Sequence, residues 1–301
     1  MNAATRRESA GLWLGLLGVA IFAATLPMTR LAIGPASAPQ LPPEFVTFGR
    51  AVLAAALSAL FLLVTRSPWP QRAHVWPLLL NAAGSTIGFP LLLALALRSV
   101  TSAHAAVILA VMPLATAALA AWVLHQRASL GFWLCAVAGT ALVVLFALWR
   151  ATADGGRLAF AWADLLLLGA VLAGATAYVM GARLTPELGA ERVICWVCLL
   201  GLPVTLPGMW LAWPSAPVTP AAWAGFAYVG VFSMWAGFFA WYRGLAWGGA
   251  MRVSQVQLLQ PFLTMLFAVP LGGEAIEPAS LVFAAAVVAT VLAGRRMMVA
   301  R

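Results

Sequence analysis

The chain has 301 residues, of which 64% are hydrophobic and only 8% are charged, and its mean hydropathy is +0.98. Water-soluble domains are about 45–50% apolar and about 25% charged, so this composition excludes a soluble globular protein and indicates a lipid environment. The net charge of +9 comes from 17 basic residues, all arginines, scattered singly at the edges of apolar runs. That distribution is typical of loops at a membrane surface and argues against nucleic-acid binding.

Ten apolar segments are long enough to cross a bilayer, which takes roughly 20 residues. In chain order they cover residues 10–31, 41–65, 73–97, 101–123, 129–149, 162–183, 190–212, 219–246, 250–270 and 277–296. The sequence therefore predicts an all-α integral membrane protein with ten transmembrane helices, numbered here in chain order. The first run follows Arg6 and Arg7 as in a signal peptide, but we expect it to be retained because it completes an even helix count.

The arginines also predict the orientation. With the N-terminus in the cytoplasm, 12 arginines lie on the inner side and 4 on the outer side, while Arg50 lies within helix 2. Because inner loops carry the excess of positive charge, we expect a multi-pass protein of a bacterial-type inner membrane with both termini cytoplasmic.

The two halves of the chain resemble each other. Gly18–Thr25 ("GVAIFAAT") resembles Gly169–Thr176 ("GAVLAGAT"), and Pro113 in "LAVMPLATAAL" matches Pro261 in "LLQPFLTML". Five helices in each half would make the second copy enter the membrane from the opposite side, as in many secondary transporters. The predicted organisation is a cytoplasmic tail (1–9), two inverted five-helix repeats (10–149 and 162–296) joined by a periplasmic linker (150–161), and a second cytoplasmic tail (297–301).

Several stretches resemble the EamA-type members of the drug/metabolite transporter superfamily. They are "FAATLPMTRLAIG", "LPPEFVTFGRAVLAAALSAL", "ATAYVMGARL" and "WYRGLAWGGAMRVSQVQLLQPFLTMLFAVPLGGEAI". The family's usual Gly-Glu at the end of helix 4 is His125-Gln126 here, and its counterpart glutamate survives only as Glu274. The resemblance implies a ten-helix carrier of small metabolites, commonly amino acids and often exported. It also implies a central cavity lined mainly by helices 1, 3, 4, 6, 8 and 9.

Motifs of enzymes are absent from the sequence, including HExxH, GxSxG and phosphate-binding loops. The three cysteines, Cys135, Cys195 and Cys198, lie in apolar segments and predict neither a disulfide framework nor a metal site. Every acidic residue lies at a segment end, which argues against proton coupling through a carboxylate deep in the membrane. We expect no catalytic activity, cofactor or metal. Transport is expected to proceed by facilitated diffusion or exchange, and coupling of transport to another gradient through His104 is the alternative.

Polar and aromatic residues within the spans are candidates for the cavity lining. Gln257 and Gln260 share a face of helix 9, whereas Gln255 projects away and is interpreted as packing. The other candidate substrate-binding residues are Thr25, Asn81, Ser85, Tyr178 and Trp235. For each candidate, ordinary helix packing or an interhelical hydrogen bond is the alternative role.

A second group of residues is predicted to be structural or to control gating. Pro113 and Pro261 should kink helices 4 and 9 at matched positions, because proline cannot donate a helical hydrogen bond. Arg50 either forms a lateral strut to Glu44 or to loop carbonyls, or binds a substrate carboxylate, or acts as a gate on the outer side. Tyr242, near the inner end of helix 8, is either a gating residue or an interfacial anchor.

These observations predict a secondary transporter, without ATP, that exports or exchanges amino acids or similar amphipathic metabolites by alternating access. A multidrug exporter of the same fold is the alternative. A membrane-embedded enzyme would need a buried cluster of His, Asp or Glu residues, which the sequence does not contain. A receptor would need a sizeable extramembrane domain, and the loops are too short for one. The expected partners are a small-molecule substrate and the lipid bilayer, with no nucleic acid, and the expected oligomeric state is a monomer.

Overall fold

The computed structural model describes residues 3–35, 37–96, 99, 102–153, 162–272, 278–297 and 299–300. Within these ranges, eight helices are long and apolar enough to cross a membrane, which confirms the all-α integral membrane class. They are α1 (Arg6–Ile33), α2 (Pro43–Val64), α3 (Arg72–Ala96), α4 (His104–Val123), α5 (Leu130–Trp149), α6 (Trp162–Leu188), α7 (Ala190–Leu211) and α8 (Pro220–Gly248). The helix of α1 starts at Ala3, and that of α5 continues to Ala153.

Two further helical segments follow where the ninth and tenth spans are predicted. Segment α9 consists of Ala250–Ser254, Gln255–Leu259 and Gln260–Gly272, and α10 is Pro278–Arg296. The ten-span topology itself stays a prediction. Most of the predicted linker (154–161) and Glu274 lie outside the described residues.

A short two-stranded sheet joins the C-terminal tail to the loop after α4. Strand β1 (Arg127–Ala128) pairs antiparallel with β2 (Val299–Ala300), with Arg127 opposite Ala300. The arginine distribution places both of these segments on the inner side of the membrane.

Five helices are interrupted. Segment α3 contains a π-helical turn at Ala83–Gly88, and α8 contains one at Val229–Ala236. Segment α1 has a turn at Ala24. Segment α4 breaks between Leu109 and Met112, and α9 tightens into a 3-10 turn at Gln255–Leu259. The last two breaks directly precede Pro113 and Pro261, whose rings displace the carbonyl four residues back.

The helices pack in defined pairs. Segment α1 packs along α8, α2 along α7, α3 along α6, α4 against α9, and α5 along α10. The main hydrophobic core is built largely from α6, α7, α8 and the first part of α9, and Trp241 and Tyr242 of α8 are its largest fully buried side chains.

Glycines bring α1 and α8 into backbone contact. A Cβ on Gly11 would lie 2.2 Å from the backbone nitrogen of Gly248, and one on Gly244 would lie 2.6 Å from that of Gly15. Small residues that let two backbones approach this closely are a common basis of helix association in lipid. The inner halves of α1 and α8 therefore form one tightly packed unit.

Polar contacts join helix ends that the arginine distribution places on the same side. On the predicted inner side, Nη1 of Arg252 lies 3.3 Å from Oε2 of Glu8, Nε2 of His74 lies 2.7 Å from Oε2 of Glu187, and Arg243 pairs with Glu191. On the predicted outer side, Nε2 of His104 lies 2.6 Å from Oδ1 of Asp164. The contacts agree with a chain that crosses in alternating directions.

Candidate functional site

The central polar site is formed by Tyr178 of α6 and Gln257 of α9, and Arg50 of α2 is close enough to act electrostatically on Tyr178. Gln257 of α9 donates from Nε2 to the Tyr178 hydroxyl of α6 at 3.5 Å and to the Met112 sulfur at 3.7 Å. Its Oε1 is buried and has no hydrogen-bond partner among the described residues. The structure thus brings together two of the predicted substrate-binding residues and leaves an acceptor atom unused.

An aromatic wall flanks this site. The Tyr178 ring centroid lies 5.2 Å from that of Trp241 and 6.3 Å from that of Phe238, both on α8. Tyr178 remains half-buried although it lies well inside α6. A small molecule at this point would meet a hydroxyl, an amide and apolar ring faces together.

Arg50 is half-buried in α2, one turn before Ala54 of the main hydrophobic core, against which Tyr178 also packs. The suggested ion pair with Glu44 does not form, and Glu44 is exposed in the first turn of α2. Residues six apart lie about 120° apart around a helix, so the two side chains point in different directions. Arg50 therefore belongs to the interior of the bundle rather than to a strut along α2.

Asn81, Ser85 and Tyr242 form a separate, tightly bonded group between α3 and α8. The fully buried Asn81 accepts at Oδ1 from the Tyr242 hydroxyl at 2.9 Å and from the Ser85 hydroxyl at 3.2 Å. Tyr242 is fully buried, and its ring packs on Gly181 of α6, where a Cβ would approach it to 2.3 Å. The interfacial-anchor role considered for Tyr242 is therefore wrong, and these bonds lock helices together.

Trp235 lies on the α2 and α7 side of α8. Its Nε1 donates to the Cys195 sulfur at 3.4 Å, and its ring centroid lies 6.2 Å from that of Phe61 and 4.7 Å from that of Phe239. Among the described residues no hydrogen bond or ring contact joins Trp235 to Tyr178, so Trp235 contributes to a second aromatic group.

The turn in α1 is satisfied by hydroxyl groups from other helices. Thr25 and Ser233 hydroxyls lie 2.7 Å apart, the Tyr228 hydroxyl donates to the Ile21 carbonyl at 3.1 Å, and the Thr264 hydroxyl donates to the Ala23 carbonyl at 2.9 Å. The sequence analysis missed Ser233 and Tyr228. The position of Ser233, which matches Ser85 when Pro113 is aligned with Pro261, was a signal that could have found it.

A hydrogen bond joins the break in α4 before Pro113 to the break in α9 before Pro261. Gln255 is buried and donates from Nε2 to the Pro113 carbonyl at 3.2 Å, which agrees with its interpretation as packing. The carbonyl of Gln257 accepts from the backbone N–H of Gln260 within the 3-10 turn, so Pro261 does not leave it unsatisfied. The half-buried Gln260 side chain, one turn beyond Gln257, has no hydrogen bond within the described part of the chain.

Comparison with known proteins identifies the class of this bundle. The EamA-like transporter family matches residues 9–148 and again residues 161–293. The "Uncharacterized transporter YdeK" of Bacillus subtilis (strain 168) is 40% identical over 288 residues, covering 94% of this chain and 96% of that protein. A protein of known crystal structure shares the fold, with a TM-score of 0.77 at 20% identity over 95% of this chain and 96% of its own.

The chain therefore belongs to the EamA-like transporter family, as its resemblance to EamA-type proteins predicted. It is a multi-pass membrane transporter and not an enzyme.

Proposed function

We propose that this protein is a secondary transporter that exports or exchanges amino acids or similar amphipathic metabolites. Its substrate would bind at the central polar site and leave by alternating access. The protein would lie in a bacterial-type inner membrane as a monomer, with both termini in the cytoplasm. Reaction of a cysteine placed at Ser215 with an impermeant maleimide on intact cells tests this orientation.

The unused hydrogen-bonding capacity at the centre of the bundle carries the proposal. A buried amide oxygen without a partner costs about 1–3 kcal/mol, and Gln257 holds one beside the hydroxyl of Tyr178. Among the described residues Asn81 Nδ2 and Gln255 Oε1 are buried and unpaired as well, but the other amide atoms of these two side chains bond to the Tyr242 hydroxyl and the Pro113 carbonyl and so hold helices together. A bound molecule that donates to Gln257 would recover this energy, because pockets fix their ligands through a few convergent polar groups in an apolar wall.

Three features support two inverted repeats at 10–149 and 162–296. The family matches the chain twice. If the two repeats are exchanged, each of helices α1–α5 takes the place of the helix five positions later, and α6–α10 take the places of α1–α5. The α1–α8 contact then becomes the α6–α3 contact, and the α2–α7, α4–α9 and α5–α10 contacts are unchanged. The interruptions obey the same exchange, since π-helical turns lie in α3 and α8 and breaks before proline lie in α4 and α9.

Glycines at the ends of the two π-helical turns provide a further match, with Gly88 the last residue of the first turn and Gly237 the residue that follows the second. A Cβ on Gly88 would lie 2.8 Å from the carbonyl oxygen of Ala83, and one on Gly237 would lie 2.8 Å from that of Phe232. In each case the carbonyl is five residues earlier, which is the spacing of π-helical hydrogen bonds. π-Helical turns occur frequently at functional sites.

The same arrangement supports alternating access. Repeats that cross in opposite directions form two equivalent structures by exchanging their conformations, and this opens the centre to one side and then the other. The ion pairs at both ends, including Arg252 with Glu8 inside and His104 with Asp164 outside, would separate in turn.

Uptake into proteoliposomes tests the substrate class. We expect at least one of the twenty common amino acids, supplied with a radiolabel, to enter vesicles preloaded with the same unlabelled compound. The flux should not require a proton gradient. Strict dependence on that gradient would contradict exchange, and transport of tetraphenylphosphonium without any amino-acid flux would favour the multidrug alternative.

Replacing Gln257 by leucine tests the site. We expect the KM for the transported amino acid to rise about three- to tenfold with little loss of thermal stability, because one neutral hydrogen bond to substrate is lost. Gln255→Leu is the matched control, since it removes a glutamine two residues away that bonds the Pro113 carbonyl. It should lower stability and leave KM nearly unchanged. Equal KM values for wild type and Gln257→Leu would remove Gln257 from the substrate pathway.

A further inference from the structure

Arg50 lies well inside α2, within an apolar span, and the described part of the chain supplies no ion pair to it. An arginine at membrane depth is costly unless it reaches water or a negative partner, and such residues commonly mark substrate paths. We infer that Arg50 is the receptor for a carboxylate on the transported substrate. This inference rests on the proposed function and specifies the chemistry of its site.

The distribution of negative charge leaves Arg50 without a protein counter-ion among the described residues. Five acidic residues are described, all at helix ends, and four of them pair with other residues. These pairs are Glu8 with Arg252, Glu187 with His74, Asp164 with His104, and Glu191 with Arg243. The fifth, Glu44, is exposed and points away from Arg50. A negative charge brought by the substrate would therefore be the first to reach this guanidinium.

The neighbours of Arg50 fit a carboxylate. Arg50 lies one turn before Ala54 of the main hydrophobic core, and Tyr178, whose hydroxyl oxygen accepts from Gln257 Nε2, packs against the same core. No described residue accepts the proton of the Tyr178 hydroxyl, which can therefore be donated to an anion. A guanidinium and a phenol would together supply charge-assisted hydrogen bonds to a carboxylate, and these are about twice as strong as bonds between neutral groups.

The other end of the site fits the ammonium group of an amino acid. The buried Oε1 of Gln257 accepts no hydrogen bond from the described residues, and an ammonium group is a donor with no acceptor function. The rings of Trp241 and Phe238 stand beside Tyr178 and would contact an apolar side chain. An unpaired arginine also repels lipophilic cations, so this site disfavours the cationic drugs that a multidrug exporter carries.

Three related compounds separate these contributions. L-phenylalanine carries both charges, 3-phenylpropionate lacks the ammonium group, and L-phenylalaninamide lacks the carboxylate. We expect phenylalanine and 3-phenylpropionate to raise the thermal stability of the purified protein, and the amide to bind at least about tenfold more weakly. In the Arg50→Gln variant the preference over the amide should disappear, and Arg50→Lys should retain part of it. Arg72→Gln, which removes an exposed arginine at the start of α3, is the matched control and should behave as wild type.

Each outcome has a distinct meaning. If amino acids are transported but the amide binds as well as the acid, and Arg50→Gln keeps wild-type affinities, the inference is overturned while the proposed function stands. If tetraphenylphosphonium binds better than either carboxylate, both are overturned. If Arg50→Gln does not fold, the ranking of the three compounds on the wild-type protein still decides the question.

Discussion

Substitution of Gly244 by leucine is expected to abolish folded protein. The Cβ alone would lie 2.6 Å from the backbone nitrogen of Gly15 and 2.9 Å from the carbonyl oxygen of Gly11. These contacts are with backbone, so no side chain can rotate away, and α1 and α8 would have to separate. Overpacking a core costs about 1–3 kcal/mol, and occasionally more. We place Gly244→Ala near the upper end of that range and Gly244→Leu above it.

The measurement is the thermal unfolding temperature of each purified variant in one detergent, together with its yield in the membrane. Gly169→Ala on α6 is the matched control, because its new Cβ would meet only the flexible Cδ1 of Leu92, at 3.1 Å. Equal unfolding temperatures for Gly244→Ala and Gly169→Ala would show that α1 and α8 are not in backbone contact. This packing also means that α1 and α8 must move together if the transporter rocks.

Substitution of Asp164 by alanine is expected to be the most destabilising change to a single charged residue. Asp164 and His104 are only 10% and 13% exposed at their side chains, and their Oδ1 and Nε2 atoms are 2.6 Å apart. Removing the Asp164 carboxylate takes this hydrogen-bond partner from a buried imidazole nitrogen, which typically costs about 1–3 kcal/mol. The loss should appear as a lower unfolding temperature of the purified protein.

The chain contains a matched pair for comparison. His74 and Glu187 are joined at a similar distance of 2.7 Å, but the Glu187 side chain is 70% exposed. Glu187→Ala should therefore cost less than about 1 kcal/mol. A double-mutant cycle of His104→Ala with Asp164→Ala isolates the pair from the other contacts of these residues. A coupling energy no larger than that of the His74–Glu187 pair would contradict the role given to burial.

The helices could be predicted from the sequence because their cause is local. A run of apolar residues must form helical hydrogen bonds in lipid whatever surrounds it, and the breaks in α4 and α9 follow from prolines that lack an N–H group. The sequence predicted that Gln257 and Tyr178 line the same cavity, but it did not predict the hydrogen bond between them. The donor and acceptor roles within it depend on how α6 and α9 approach each other.

Residues whose partners lie far along the chain were harder to interpret. Asn81 and Tyr242 are 161 residues apart and bonded at 2.9 Å, and periodicity within one helix carries no information about such a bond. The same holds for Arg50, since Glu44 was near in sequence but on another side of the helix. Helical spacing assigns a side chain to a face, but the neighbouring helix decides what that face meets.

The sequence by itself determined that this protein lives in a membrane, where its helices lie and which family its motifs resemble. These properties follow from composition and short-range backbone chemistry, which act within a few residues. Only the tertiary structure decided which polar side chains are consumed in holding helices together and which remain available at the centre. That distinction depends on hydrogen-bond geometry between distant segments, and it leaves Arg50, Tyr178 and Gln257 as the residues to test first.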